Sequence, residues 1–186
     1  CVSCLQGTFQ EENTVVSVVC KTCGAGKAFS TTSTACTDCT NGQYQNQNEA
    51  ASVICLSCSK GQSSSSNTSS CLNCLEGKVQ ILDIADSYGC NFCTAGNVYI
   101  STSQCDKCPS GEYQTENTAA RKNCMKCSQG TAATDATKAC TDCVDGKFQE
   151  LKVSIEYSCK FCGKGKEFTA KKTACNVCVE GKFQEQ

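Results

Sequence analysis

All 22 cysteines of this 186-residue chain fall in Cys-x-x-Cys pairs, and none stands alone. The first cysteines of successive pairs lie 19, 16, 19, 16, 19, 15, 19, 16, 19 and 16 residues apart, so long and short steps alternate and the period is 35, shortened once to 34. Such a period marks a chain built from copies of one supersecondary unit, each resting on its neighbours. The repeats run 1-35, 36-70, 71-104, 105-139 and 140-174, with the start of a sixth at 175-186. Only seven Phe, five Tyr, one Met and no Trp are available to build a large apolar core. In a chain so rich in cysteine, cross-linking supplies the stability that packing cannot.

Within each repeat the long half reads Cys-x2-Cys-x2-Gly-x-(Phe/Tyr/Val)-Gln, and the short half keeps Cys-x2-Cys-x2-Gly before turning polar. A glycine stands three positions after the second cysteine of every pair, from Gly7 and Gly26 to Gly165 and Gly181. A residue so restricted implies a turn with φ > 0, because glycine alone adopts it without a Cβ clash. The aromatic-Gln stretch that follows is short, β-prone and bounded by turn signals, so it reads as one arm of a small hairpin. Helical periodicity is absent.

The aromatic of the long half (Phe9, Tyr44, Tyr113, Phe148 and Phe183, with Val79 as its substitute) is expected to cover a neighbouring disulfide. For the invariant glutamine beside it (Gln10, Gln45, Gln80, Gln114, Gln149, Gln184) two readings stand: an amide bonded to backbone in each repeat, or a solvated surface side chain.

Three chemistries compete for the cysteines. Structural disulfides fit an oxidising compartment. Zinc fits the local spacing, since Cys-x2-Cys-x15-Cys-x2-Cys from Cys1 to Cys23 matches a four-cysteine ribbon. Against zinc stand the absence of His and the odd number of pairs. A redox-active pair needs a βαβ setting and a helix start, neither of which this pattern supplies.

No His is present for acid-base work, no nucleophile elbow or phosphate loop occurs, and the carboxylates are scattered, so no catalytic residues are assigned and no enzyme is expected. Gly24-Ala25-Gly26-Lys27 and Gly163-Lys164-Gly165-Lys166 glance at a phosphate loop but follow a cysteine directly, and read as turns. Charge is balanced at 17 basic against 18 acidic residues and mixed along the chain, which points to neither nucleic acid nor membrane lipid as a partner. The longest apolar cluster, Val15 to Val19, is far short of the roughly 18 residues of a membrane span. No cofactor is implied.

Cys-x2-Cys-x2-Gly-x-(Phe/Tyr) followed about a dozen residues later by another Cys-x2-Cys resembles the opening module of tumour-necrosis-factor receptor repeats and the single-disulfide modules of growth-factor-receptor cysteine-rich regions. Arrays made almost wholly of such pairs are also similar to the variant-specific surface proteins of diplomonads and the immobilisation antigens of ciliates. The receptor resemblance implies a ladder in which the cysteine before the turn bonds the first cysteine of the next pair: Cys4 with Cys20, Cys23 with Cys36, Cys39 with Cys55, Cys58 with Cys71 and Cys74 with Cys90. The same rule gives Cys93 with Cys105, Cys108 with Cys124, Cys127 with Cys140, Cys143 with Cys159 and Cys162 with Cys175, leaving Cys1 and Cys178 unpaired or bonded outside the segment. An interlocked scheme, Cys1 with Cys20 and Cys4 with Cys23 repeated along the chain, stays open beside it.

The expected fold is small and disulfide-rich, mostly β-hairpin and irregular, an elongated rod of tandem repeats without a large core. The expected protein is an extracellular or cell-surface structural component of a coat or filament, continued head to tail by self-association or by more repeats, because neither end carries a polar cap. A ligand-binding receptor ectodomain and a zinc-binding array are the alternatives; the third repeat, with Tyr88, Tyr99 and the shortened step, is the place a receptor would show itself. Asn67-Thr68-Ser69 is an N-glycosylation acceptor, and the polar stretch Ser63 to Ser70 around it is expected to be exposed.

Overall fold

The computed structural model describes residues 3–12, 14, 19–49, 54–118 and 120–184. Among them there is no helix; every strand pairs with one neighbour in a two-stranded antiparallel hairpin. Eight such hairpins are present, and single antiparallel bridges, Phe9 with Lys21 and Val79 with Asn91, mark two more. Each of the ten starts in its own half-repeat and takes its second arm from the cysteine pair that opens the next. No helix among the described residues is long and apolar enough to cross a membrane.

The glycine explains why each half folds back. In every half the residue after the second cysteine accepts, through its carbonyl, the N–H three positions on, as Thr40 does from Gln43 (3.0 Å) and Pro109 from Glu112 (3.0 Å). The glycine in the third place of the turn has φ between 73° and 88°, and among the described residues no other residue type has positive φ. That combination is a type II turn. Gly24–Lys27 and Gly163–Lys166 are two of these turns, closed by N–H to carbonyl bonds of 3.2 Å. The chain leaving the turn pairs with the residues after the next cysteine, in the register Lys27↔Asp38 and Ala28↔Thr37, or Lys147↔Phe161 and Phe148↔Lys160.

The shortened step falls in the short half of the third repeat. Its strands, Asn97–Ser101 and Gln104–Lys107, are the longest among the described residues and leave only Thr102 and Ser103 between them. Losing one residue has replaced an irregular loop by a two-residue hairpin connection, the tightest that antiparallel strands allow.

Two compact units divide the chain: residues 1–91 with 101–104, and residues 92–100 with 105–186. In the first, the buried side chains are Phe9, Cys23, Cys39, Cys58, Cys74, Val79 and Ala85, joined by Gln45, Ser63, Ser64 and Gln80. The second buries Cys93, Val98, Cys108, Cys127, Ala132, Ala133, Cys143, Phe148 and Cys162, with Gln114, Gln149 and Ser154. Each core is thus a row of half-cystines and polar side chains, in which most buried groups are supplied by the repeat motif itself.

Candidate functional site

The cysteines form a ladder of ten disulfides: Cys4–Cys20, Cys23–Cys36, Cys39–Cys55, Cys58–Cys71, Cys74–Cys90, Cys93–Cys105, Cys108–Cys124, Cys127–Cys140, Cys143–Cys159 and Cys162–Cys175. Rungs closing long halves span 16 residues, and those closing short halves 13, or 12 in the shortened one. Each bond thus locks the base of one hairpin, and the interlocked alternative is not the pattern formed. Cys178 is the free cysteine among the described residues, and Cys1 lies outside them. Zinc requires thiolates, and a sulfur already bonded to sulfur is not one.

Phe9 is 5% exposed and packs on Cys23, whose bond to Cys36 it covers, with the Phe29 ring 5.5 Å away. Val79 and Phe148 are buried in the same register, while Tyr44 and Tyr113 are half-buried. Phe183, with no further cysteine pair after it in this sequence, is 80% exposed. The lid is therefore closed from above by the half-repeat that follows.

The glutamine is the hub of each repeat. Gln45, Gln80, Gln114 and Gln149 are all buried, Gln114 to 1% exposure. The backbone N–H of Gln45 donates to Asn67 O (2.8 Å) in the following short half, and its carbonyl accepts from Gly26 N (2.6 Å) in the preceding one. Its side-chain Nε2 faces the Gly24 and Lys27 carbonyls (3.2 Å each), and its Oε1 accepts the Gln47 N–H. Gln149 repeats the set: N–H to Lys171 O (2.9 Å), carbonyl from Gly130 N (2.8 Å), Nε2 to Ser128 O (3.0 Å), Oε1 from Leu151 N (2.5 Å). One residue thus stitches three successive half-repeats: its backbone bonds the halves on either side, and its amide, with a donor and an acceptor, ties the preceding turn to its own half. Gln10 and Gln184 are half-buried, and the Gln10 amide still donates to Glu12 O (2.5 Å) and accepts the Glu12 N–H.

A second device escapes the repeat consensus. In the third and fifth repeats the long half reads Gln-x-Leu-x-(Ile/Val)-(Ala/Ser)-x2-Tyr-(Gly/Ser)-Cys, with Tyr88 and Tyr157 in matching places. The Tyr157 hydroxyl lies 3.0 Å from both the Pro109 and Glu112 carbonyls, clasping the glycine turn of the preceding long half; Tyr88 does the same to Gln43 O (3.0 Å) and Thr40 O (3.4 Å). Ala85 and Ser154 bury themselves against those turns and donate their N–H groups to Cys58 O and Cys127 O (2.9 Å each). The signal was a tyrosine two residues before the cysteine in repeats 3 and 5 and nowhere else.

Burial of the phenol raises the Tyr157 pKa above the ordinary 10.0, with the negative charges of Asp135 and Glu112 adding to the effect. A raised pKa means that the folded state holds its proton when the unfolded state has lost it, so the clasp contributes fully below pH 10 and is lost as pH rises through the folded value. Tyr157→Phe is expected to cost about 1 kcal/mol, one hydrogen bond, and to flatten the alkaline limb. Thermal unfolding of both proteins, with free thiols alkylated first, checks it; an unchanged alkaline limb would show that the hydroxyl does not couple to folding.

The stretch Ser63 to Ser70 departs from expectation, for Ser63 and Ser64 are buried, Ser64 to 1% exposure. Ser63 ends the strand after the Gly61 turn and Ser64 follows it, under the next long-half loop: Gly89 N–H donates to Ser64 O (3.0 Å), Ser63 Oγ contacts Cys90 Sγ (3.0 Å) and Ser64 Oγ donates to Ser66 O (2.8 Å). Asn67 is half-buried, with its Nδ2 directed at Gly26 O (3.4 Å).

Compared with known proteins, the chain matches no protein-family model and no curated protein. Ten disulfides form and persist in an oxidising compartment, which points to a secreted or extracellular cysteine-rich repeat protein.

Proposed function

We propose that this protein is a non-enzymatic structural component of an extracellular coat or filament, in which each repeat serves as a rigid spacer. The observation that carries the reading is where the chemistry of the repeat goes. The half-cystines, the glutamine amides and the clasping tyrosines are all spent on bonds within and between the half-repeats of each unit, and no buried side-chain polar atom among the described residues lacks a partner. A catalytic or ligand-gripping centre commonly keeps convergent polar groups in reserve for its substrate; here they hold the array together.

The receptor reading has one observation in its favour, the exposed Ile81, Leu82 and Ile84 of the third repeat. Leu151, Val153 and Ile155 form the like run in the fifth, so the feature belongs to the clasped repeat type rather than to one specialised site. Labelling intact source cells with a membrane-impermeant amine reagent, followed by electron microscopy of the labelled material, tests the proposal. Labelled protein in extended assemblies is expected. Isolated particles that bind a soluble protein ligand would transfer the protein to the receptor class.

A further inference from the structure

Residues 69 positions apart occupy equivalent places in the two units, and one such pair of places carries opposite charge patterns. In the first unit, the turn of the second short half holds Ser59 and Lys60, with Asp83 and Ser103 around it. Lys60 Nζ pairs with Asp83 Oδ1 at 3.1 Å, so the place is neutralised by its own carboxylate. In the second unit the corresponding residues are Ser128, Gln129, Lys152 and Lys172: the carboxylate position has become a lysine, and the serine position another.

These four residues line one shallow recess of about 250 Å³ that contains no acidic side chain. Lys172 is seated against the turn: a methyl added at Gly130 would meet its Cγ at 2.8 Å. Gln129 is anchored through Nε2 to Glu150 O (2.7 Å). Asp145 is held by Lys171 (3.1 Å) and Glu156 by Lys160 (3.3 Å), while Glu150, two residues before Lys152, meets Gln129 through its backbone carbonyl. Lys152 and Lys172 have no ion-pair partner among the described residues. Two lysines thus line one recess with no carboxylate in the place that Asp83 takes in the other unit.

We propose that the recess of Ser128, Gln129, Lys152 and Lys172 binds a tetrahedral oxyanion, a sulfate or phosphate ester. Two lysines offer compact charges with freely rotating donors, and the serine hydroxyl adds a third, a set suited to several oxygens around one centre. A planar carboxylate is better matched by the fork of an arginine, which the recess lacks. An extracellular protein meets such groups on sulfated or phosphorylated carbohydrate.

The test is calorimetric titration of the oxidised full chain with a sulfated tetrasaccharide, its desulfated counterpart and inorganic phosphate, at low and at physiological salt. Binding of the sulfated sugar or of phosphate, weakened about tenfold for each lysine removed in Lys152→Ala and Lys172→Ala, is expected from the loss of a charge-assisted contact. Lys27→Ala, which removes a cation paired with Asp38 at 2.8 Å, is expected to leave binding unchanged. Lys152→Asp, which installs the charge found at Asp83, is expected to abolish it while leaving the disulfides intact. Preference for the sulfated sugar over phosphate assigns a sulfate ester, and the reverse a phosphate. The proposal falls if neither probe binds at millimolar concentration, if the desulfated sugar binds as well as the sulfated one, or if the Lys152 and Lys172 variants bind like the unaltered chain.

Discussion

Full reduction of the oxidised chain is expected to abolish its fold outright rather than soften it. Each rung closes a loop of 12 to 16 residues, and by chain-entropy reasoning each such loop is worth about 3 kcal/mol. Ten rungs therefore outweigh by a wide margin the usual net stability of about 5–15 kcal/mol for a folded domain. The apolar side chains cannot substitute, since among the described residues the buried hydrophobics other than half-cystines are Phe9, Val79, Ala85, Val98, Ala132, Ala133 and Phe148. Amide-exchange protection should vanish on reduction. Before reduction, alkylation should reach no more than Cys1 and Cys178. Retained protection in the reduced chain, or labelling spread over many cysteines of the oxidised one, would mean that something other than the ladder holds the fold.

The second large effect is expected at a glycine chosen for its surroundings. A Cβ at Gly42 would lie 2.2 Å from the Ala85 carbonyl oxygen and 2.8 Å from Asp86 N, while a Cβ at Gly146 would meet nothing within 4 Å. Both glycines have positive φ, 79° and 86°, so both alanine substitutions carry the left-handed backbone cost of about 1–2 kcal/mol. Gly42→Ala adds overpacking against backbone that cannot swing aside, a further 1–3 kcal/mol or so. It also pushes apart the turn that Tyr88 clasps. Denaturant unfolding of the two variants checks the difference. Equal losses would show that backbone conformation alone fixes the glycine and that the close approach of Ala85 is incidental.

Much of this protein was legible in its sequence because its order is local. Paired cysteines at alternating 19- and 16-residue steps announce half-repeats, and a glycine at one fixed distance announces a positive-φ turn in every one. Hairpins follow from those two facts, since a chain reversed at the glycine and returning to the next cysteine can only pair with itself. Even the shortened step had a local consequence, the tight connection at Thr102 and Ser103.

The glutamine shows where that legibility ends. Its invariance could be seen, but not whether its amide faced water or backbone, because its partners lie about 20 residues to either side in halves whose stacking the motif does not state. Ser63 and Ser64 were misjudged for the same reason: a serine-rich run is polar by composition, and only the loop packed over it excludes water. Tyr88 and Tyr157 reach turns 45 to 48 residues earlier, across a whole repeat. The sequence by itself determined the units of this protein, since turns and hairpins depend on neighbours along the chain. Tertiary structure alone decided how each unit rests on the next, because that depends on donors, acceptors and close approaches between segments that meet only after the hairpins have formed.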